Sequence, residues 1–261
     1  MKRGLLVISM FFFSLGAFSQ SDALEELIKN PEFTPALTFL MLGDFDSCVL
    51  LLDSFDSSHS NYNSIIFLKS QCHWELRDYQ SLKKDMEFLL KNPDKNSPNY
   101  ASLLNMYGLS LQNTGDNEKA KAVFKNGYDE TKDQILLLNL LAEYNDSGEY
   151  EKTITYENEL NTDTMGILYY LIGTGFFEVQ ELVKAKIYLS KYVGKLSNLL
   201  KFQSYMFLGQ IEKENRNKSE SCGRFIEANE SYALISSELI DSNEKYKKLG
   251  AELVVELKLC D

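Results

Sequence analysis

A four-residue phrase recurs along this 261-residue chain: Leu42-Gly43-Asp44-Phe45, Leu76-Arg77-Asp78-Tyr79, Thr114-Gly115-Asp116-Asn117 and Ser147-Gly148-Glu149-Tyr150. Each copy separates two stretches whose apolar residues fall at three-and-four spacing, so each reads as the tight turn of a helical hairpin. Gly43 to Arg77 spans 34 residues, Arg77 to Gly115 38, and Gly115 to Gly148 33. Intervals of this size belong to stacked helix pairs, in which each pair buries an apolar face on the next. Such a repeat sets the shape of a chain and leaves its partner unspecified.

No segment alternates in the manner of a strand, and the breakers lie between the helical stretches. Pro31 and Pro35 stand near the start, Pro93 and Pro98 in a polar loop over Asn92–Asn99, and a further break runs from Asn158 to Thr164. The loop at 92–99 accounts for the one long interval. From Leu234 to Leu259 the helical period continues, as one helix or a broken pair, with Gly250 inside it and no turn phrase. A segment of that kind suits a terminal cap over the last repeat's apolar face.

The first residues read differently. Lys2 and Arg3 precede an uncharged run from Gly4 to Phe18, with small Ala17 and Ser19 at its end, the pattern of a secretory signal peptide over 1–19 with the cut before Gln20. The apolar run of about 15 residues is shorter than the ~20 of a spanning helix. It ends without a cysteine that could be acylated. The resulting division is a signal peptide at 1–19, a helical array at 20–233 and a cap at 234–261, in an exported protein of the periplasm or cell surface. Without its leader the chain carries 25 cations against 38 acids, a net charge of −13. Its basic residues form no stripe, so nucleic acid and anionic membrane are poor partners, and no insertion into a membrane is expected after cleavage.

The turn phrases and their flanks resemble the tetratricopeptide repeat (TPR) family, whose helices A and B pair in units of 34. The third unit carries the resemblance most fully, with Leu104, Tyr107, Gly108, Leu111, Gly115, Ala120 and Phe124 at the family's preferred places. The fifth repeats it with Tyr169, Ile172, Gly173, Phe176, Ala185 and Leu189, Gln180 replacing the turn glycine. The sixth keeps Tyr205, Leu208, Gly209 and Phe225, with Glu212 and Arg216 off pattern. The second threads Ile66, Ser70, His73, Tyr79, Met86 and Leu89 through the pattern, with Leu82 too large for the small place. The first fits Phe39, Gly43, Phe45, Cys48 and Leu52, and Pro35 interrupts its helix A. The fourth places bulky Leu141 where glycine is preferred. The resemblance implies an all-α fold, a right-handed α-solenoid of five to six hairpins with a C-terminal capping helix. It also implies close helix crossings at Gly108 and Ala120.

Chemistry is not written into these residues. His59 and His73 share no helical face, no CxxC exists, and Gly173-Thr174-Gly175 lies inside an apolar helix and not at a phosphate-binding turn. No cofactor, metal or catalytic residue is expected, and the chain reads as non-enzymatic. Of four cysteines, Cys48 and Cys72 fall on helices that the fold would bring together, either as buried thiols filling small places or as a bridge; Cys222 and Cys260 have no assignable geometry.

What remains is surface recognition. The resemblance implies a concave groove lined by helix A, and the family's groove places map here to Phe67, Trp74, Asn105, Leu109, Gln112, Leu138, Asn145, Tyr170, Phe177 and Met206, with Phe33, Leu37, Leu40 and Gln71 beside them. Aromatics so placed suit a protein or peptide ligand, since each buries much area while freezing few rotamers. Unless the array or a helix over Asp22–Lys29 covers them, they would form the binding face. Trp74 and Tyr170 as sugar platforms of a glycan-binding module are the alternative. The family's carboxylate clamp is disfavoured: Asn139 matches its middle asparagine, but Asn105, Leu109, Ile167 and Leu171 stand where its other polar and cationic groups belong.

Overall fold

The structure, a computed structural model, describes residues 29–160 and 165–260. The signal peptide and nearly all of the helix expected over Asp22–Lys29 lie outside the described residues. Among the described residues every regular element is helical. The helices are α1 (Thr34–Leu42), α2 (Phe45–Leu52), α3 (Tyr62–Glu75), α4 (Tyr79–Leu89), α5 (Tyr100–Asn113), α6 (Asn117–Thr131), α7 (Gln134–Asp146), α8 (Tyr150–Ile154), α9 (Gly166–Glu178), α10 (Leu182–Lys191), α11 (Asn198–Glu214), α12 (Lys218–Ala233), α13 (Ser237–Asp241) and α14 (Glu244–Lys258). Successive pairs from α1/α2 to α11/α12 make six hairpins. The chain divides into two compact units at Leu140/Leu141.

The recurring phrase closes each hairpin in the same way. Its second residue lies in the left-handed region in all six: Gly43, Gly115 and Gly148 at φ 74, 89 and 75°, and Arg77, Gln180 and Arg216 at 57, 64 and 60°. The next residue's amide then reaches back to a carbonyl of the first helix, as Asp44 to Phe39 at 2.9 Å, Asp116 to Leu111 at 2.8 Å and Asn217 to Glu212 at 2.9 Å. That bond satisfies an orphan carbonyl at the helix end. The same residue is the N-cap of the second helix, and Asp44, Asp78 and Asn217 accept from the amides of Ser47, Ser81 and Glu220. Gln180 and Arg216 therefore keep the turn although they depart from its consensus.

In the third, fifth and sixth hairpins a glycine seven places before the turn meets a large residue nine places after the turn. A Cβ on Gly108 would lie 2.2 Å from the Phe124 ring, one on Gly209 2.6 Å from Phe225, and one on Gly173 2.9 Å from Leu189. The corresponding residues of the first two hairpins, Ala36 with Leu52 and Ser70 with Met86, are also fully buried. Helices approach this closely only where one side chain yields the volume the other fills. The fourth hairpin breaks the rule with Leu141, and its second helix ends early, at Ile154.

The first unit holds the hairpins up to Leu140. The predicted loop lies between α4 and α5, where Lys95 and the Tyr100 hydroxyl both reach Glu130, at 3.0 and 2.8 Å. Pro35 sits in the first turn of α1, where a missing amide hydrogen costs nothing, so it starts that helix instead of interrupting it. In the second unit the segment expected as a cap is a broken pair, α13 and α14. Leu253 of α14 packs with Phe202, Met206, Phe225 and Ala228. Cys260 is bonded to Cys222 of α12, with Cα atoms 5.6 Å apart. Repeat position assigns no geometry to that pair because it joins the last hairpin to a segment outside the repeat.

Candidate functional site

Helix A of each hairpin carries the predicted groove residues, and the two units treat them differently. In the first unit Phe67 and Trp74 on α3 and Gln112 on α5 are partly exposed, whereas Asn105, Leu109 and Leu138 are buried. Trp74 lies against the core formed by Leu82, Met86 and Met106, with its ring edge-on to Tyr79 at 5.8 Å. It is therefore partly core and only partly surface. A row of amides crosses the same helices at one-repeat intervals: Gln71, Asn105 and Asn139. Asn139 donates to Asn105 Oδ1 at 2.6 Å, and Gln71 Nε2 points at Met106 Sδ, 3.3 Å away.

In the second unit the corresponding residues are bonded internally. Asn145 donates to the Leu171 carbonyl at 2.9 Å and accepts from the Thr153 hydroxyl at 2.7 Å, which ties α7 to both α8 and α9. The Tyr170 hydroxyl donates to Gln203 Oε1 at 2.5 Å; the ring is buried, and burial pushes its phenol well above the ordinary value. Phe177 remains partly exposed and packs on Phe207 with ring centroids 4.6 Å apart. Met206 is sealed beneath Leu253, because α14 covers that end of the helix-A face. Repeat position reports the direction in which a side chain points, and it carries no information on what a later segment lays over it.

Both histidines have structural partners. His73 and Asp85 meet at 2.7 Å, both buried, with Lys69 4.0 Å from the same carboxylate. The nearby Ser70 hydroxyl is given to the Phe67 carbonyl at 2.6 Å. The sequence placed His73 at a core position and missed its acid; the signal was Asp85, an ionisable residue on the inner face of α4. His59 reaches Glu32 at 3.2 Å and lies edge-on to Phe33 and Phe55. Among the described residues no group of three His, Cys, Asp or Glu is placed to hold a metal ion, and no helix is long and apolar enough to cross a membrane. A cavity of about 210 Å³ beside the disulfide is lined by Arg216, Lys218, Phe225 and Leu259, with Lys213 held by Glu256 at 2.8 Å. It falls short of the ~300–1,000 Å³ of small-molecule sites.

No family model and no curated protein matches the chain. Among solved structures, the C-terminal part of a TPR repeat-containing protein from Cytophaga hutchinsonii superposes with a TM-score of 0.63 at 17% identity, covering 87% of this chain and 92% of that one. A tetratricopeptide repeat protein from Parabacteroides merdae gives a TM-score of 0.49 at 16% identity over 91% and 88% of the two chains. The fold is thus all-α and TPR-like, as the turn phrases and the small places of helix A and helix B imply.

Proposed function

We propose that the chain is an exported, non-enzymatic scaffold that binds a protein or peptide along the helix-A face of its first unit, in a bacterial periplasm or at the cell surface. The observation that carries this reading is the partly exposed set of Phe67 and Trp74 on α3, Gln112 on α5 and Asn139 on α7, with Asn139 held from beneath by the buried Asn105. Partly exposed amides such as Gln112 and Asn139 suit the polar groups of a peptide backbone, and flanking aromatics supply the apolar contact area. Export is supported by the leader pattern at 1–19 and by the Cys222–Cys260 disulfide, a feature of oxidising compartments. The glycan reading is weaker, since the Tyr170 ring is buried and Trp74 leans on the core.

The test is capture from the native envelope with the chain lacking residues 1–19, followed by mass spectrometry and affinity measurement with the captured partner. Phe67→Ala and Gln112→Ala, each first checked for unchanged helicity, should weaken that partner, Phe67→Ala by about 2 kcal/mol on the scale of an aromatic hot spot. Lys125→Ala on α6 should leave it unchanged. Wild-type affinity in both well-folded variants removes the helix-A face of the first unit as the binding surface.

A further inference from the structure

Cys48 on α2 and Cys72 on α3 come from adjacent hairpins, and both are fully buried among Phe33, Ala36, Leu52, Ile65 and Leu68. Both are free thiols, and their sulfurs are 2.7 Å apart. A disulfide bond measures about 2.05 Å, so closure asks for less than roughly 1 Å of sulfur movement. Nothing in the repeat requires sulfur at either place. Ala120 and Ala185 stand where Cys48 does in their hairpins, and Ser110 and Gly175 stand where Cys72 does.

We propose that Cys48 and Cys72 are an oxidisable dithiol that closes into a second disulfide, joining the first hairpin to the second. The oxidant is a disulfide, either a small one such as oxidised glutathione or that of a thiol–disulfide exchange protein. Cys72 donates its S–H toward Cys48, which holds the Cys48 thiol below its ordinary pKa despite burial; the same hydrogen bond and burial push Cys72 up. Cys48, the acceptor of that hydrogen bond, is assigned the first attack. Its thiolate attacks one sulfur of the oxidant, forming a mixed disulfide and expelling one thiolate. Cys72, once deprotonated, attacks Cys48 Sγ, forming the Cys48–Cys72 bond and expelling the second thiolate. The protein gives up two protons and two electrons, and the oxidant leaves as two thiols. Because both sulfurs are buried, exchange waits on local opening between α2 and α3, so closure is slow in the folded chain.

The experiment incubates the full chain lacking residues 1–19 in glutathione buffers of increasing oxidised fraction, quenches with acid, alkylates after unfolding, and maps peptides without reduction. The expected result is a linked Cys48–Cys72 peptide, lighter by two hydrogens, that rises with the oxidised fraction and disappears on return to reducing buffer. The Cys222–Cys260 peptide, linked at the outset, is the internal reference. In Cys72→Ala the reaction should stop at a glutathione adduct on Cys48, and should the variant not fold, the wild-type series decides alone. Full alkylation of Cys48 and Cys72 at the oxidising end, or a Cys48 adduct that never converts to the linked peptide, overturns the proposal.

Discussion

The left-handed turns set up a test in which backbone conformation is separated from packing. At Gly115, φ is 89° and a Cβ would meet nothing within 4 Å, so Gly115→Ala perturbs the backbone alone. A non-glycine residue in this region costs about 1–2 kcal/mol, and alanine's lower freedom in the unfolded chain returns about 0.4–1 kcal/mol. Gly115 lies about 30° past the left-handed centre near +57°, which puts the cost toward its upper end. The net loss is about 1 kcal/mol, a fall in Tm of about 2–4 °C for a chain of this size. Arg77 makes the same turn at φ 57°, at that centre. Arg77→Gly relieves about 1 kcal/mol of strain but surrenders roughly 0.5–1 kcal/mol to glycine's unfolded-state entropy, for a net change within about 0.5 kcal/mol. Thermal unfolding by circular dichroism gives both values, and hydrogen exchange in α5 and α6 locates the first. A neutral Gly115→Ala, or an Arg77→Gly gain as large as the Gly115→Ala loss, would refute the view that the turn selects glycine through its backbone angle.

Gly108→Ala should cost about 1–3 kcal/mol by overpacking against the Phe124 ring, and Phe124→Leu should recover part of it; strict additivity in that double-mutant cycle would show that the two residues do not share space. Reducing the Cys222–Cys260 bond, which closes a separation of 38 residues, should lower stability by about 4 kcal/mol on the chain-entropy account; an unchanged Tm with reductant would mean that packing alone holds α14. Glu157 accepts from Lys184 and from the Tyr188 hydroxyl, each at 2.8 Å, and Lys184 is the larger influence holding its carboxyl below the ordinary range. Its contribution, small for so accessible a pair, is present above the unfolded pKa near 4.3 and fades as pH falls through the lower folded value. Glu157→Gln should flatten stability across that acidic window, and an identical pH slope in the variant would assign the effect elsewhere.

The hairpins were legible because their signals are local. A left-handed residue, a cap and a small–large pair all fall within one repeat, and even Arg77 could be recognised from the Asp78 beside it. Pro35 was misread for a local reason too, since the same residue starts a helix or interrupts one depending on a register offset of a few places. The candidate site was less legible. Tyr170 and Met206 do stand at the mapped repeat places, but what covers them depends on Gln203, one repeat away, and on Leu253 of α14. The Cys222–Cys260 pairing likewise needed the path of the cap, and no period describes that path.

The small–large pairs bear on how such a chain can be recombined. Each pair lies within a single hairpin, so Gly108 with Phe124 and Gly209 with Phe225 are complete steric units. Exchanging a whole hairpin preserves its pair, whereas exchanging one helix splits it. Setting α5, with Gly108, against α10, which carries Leu189 where α6 carries Phe124, would leave a void. Viable crossover points in chimeras of this chain therefore fall between hairpins, as in the loop at 92–99, while the turns at Arg77 and Gly115, whose short phrases look interchangeable, are the places where a join would fail.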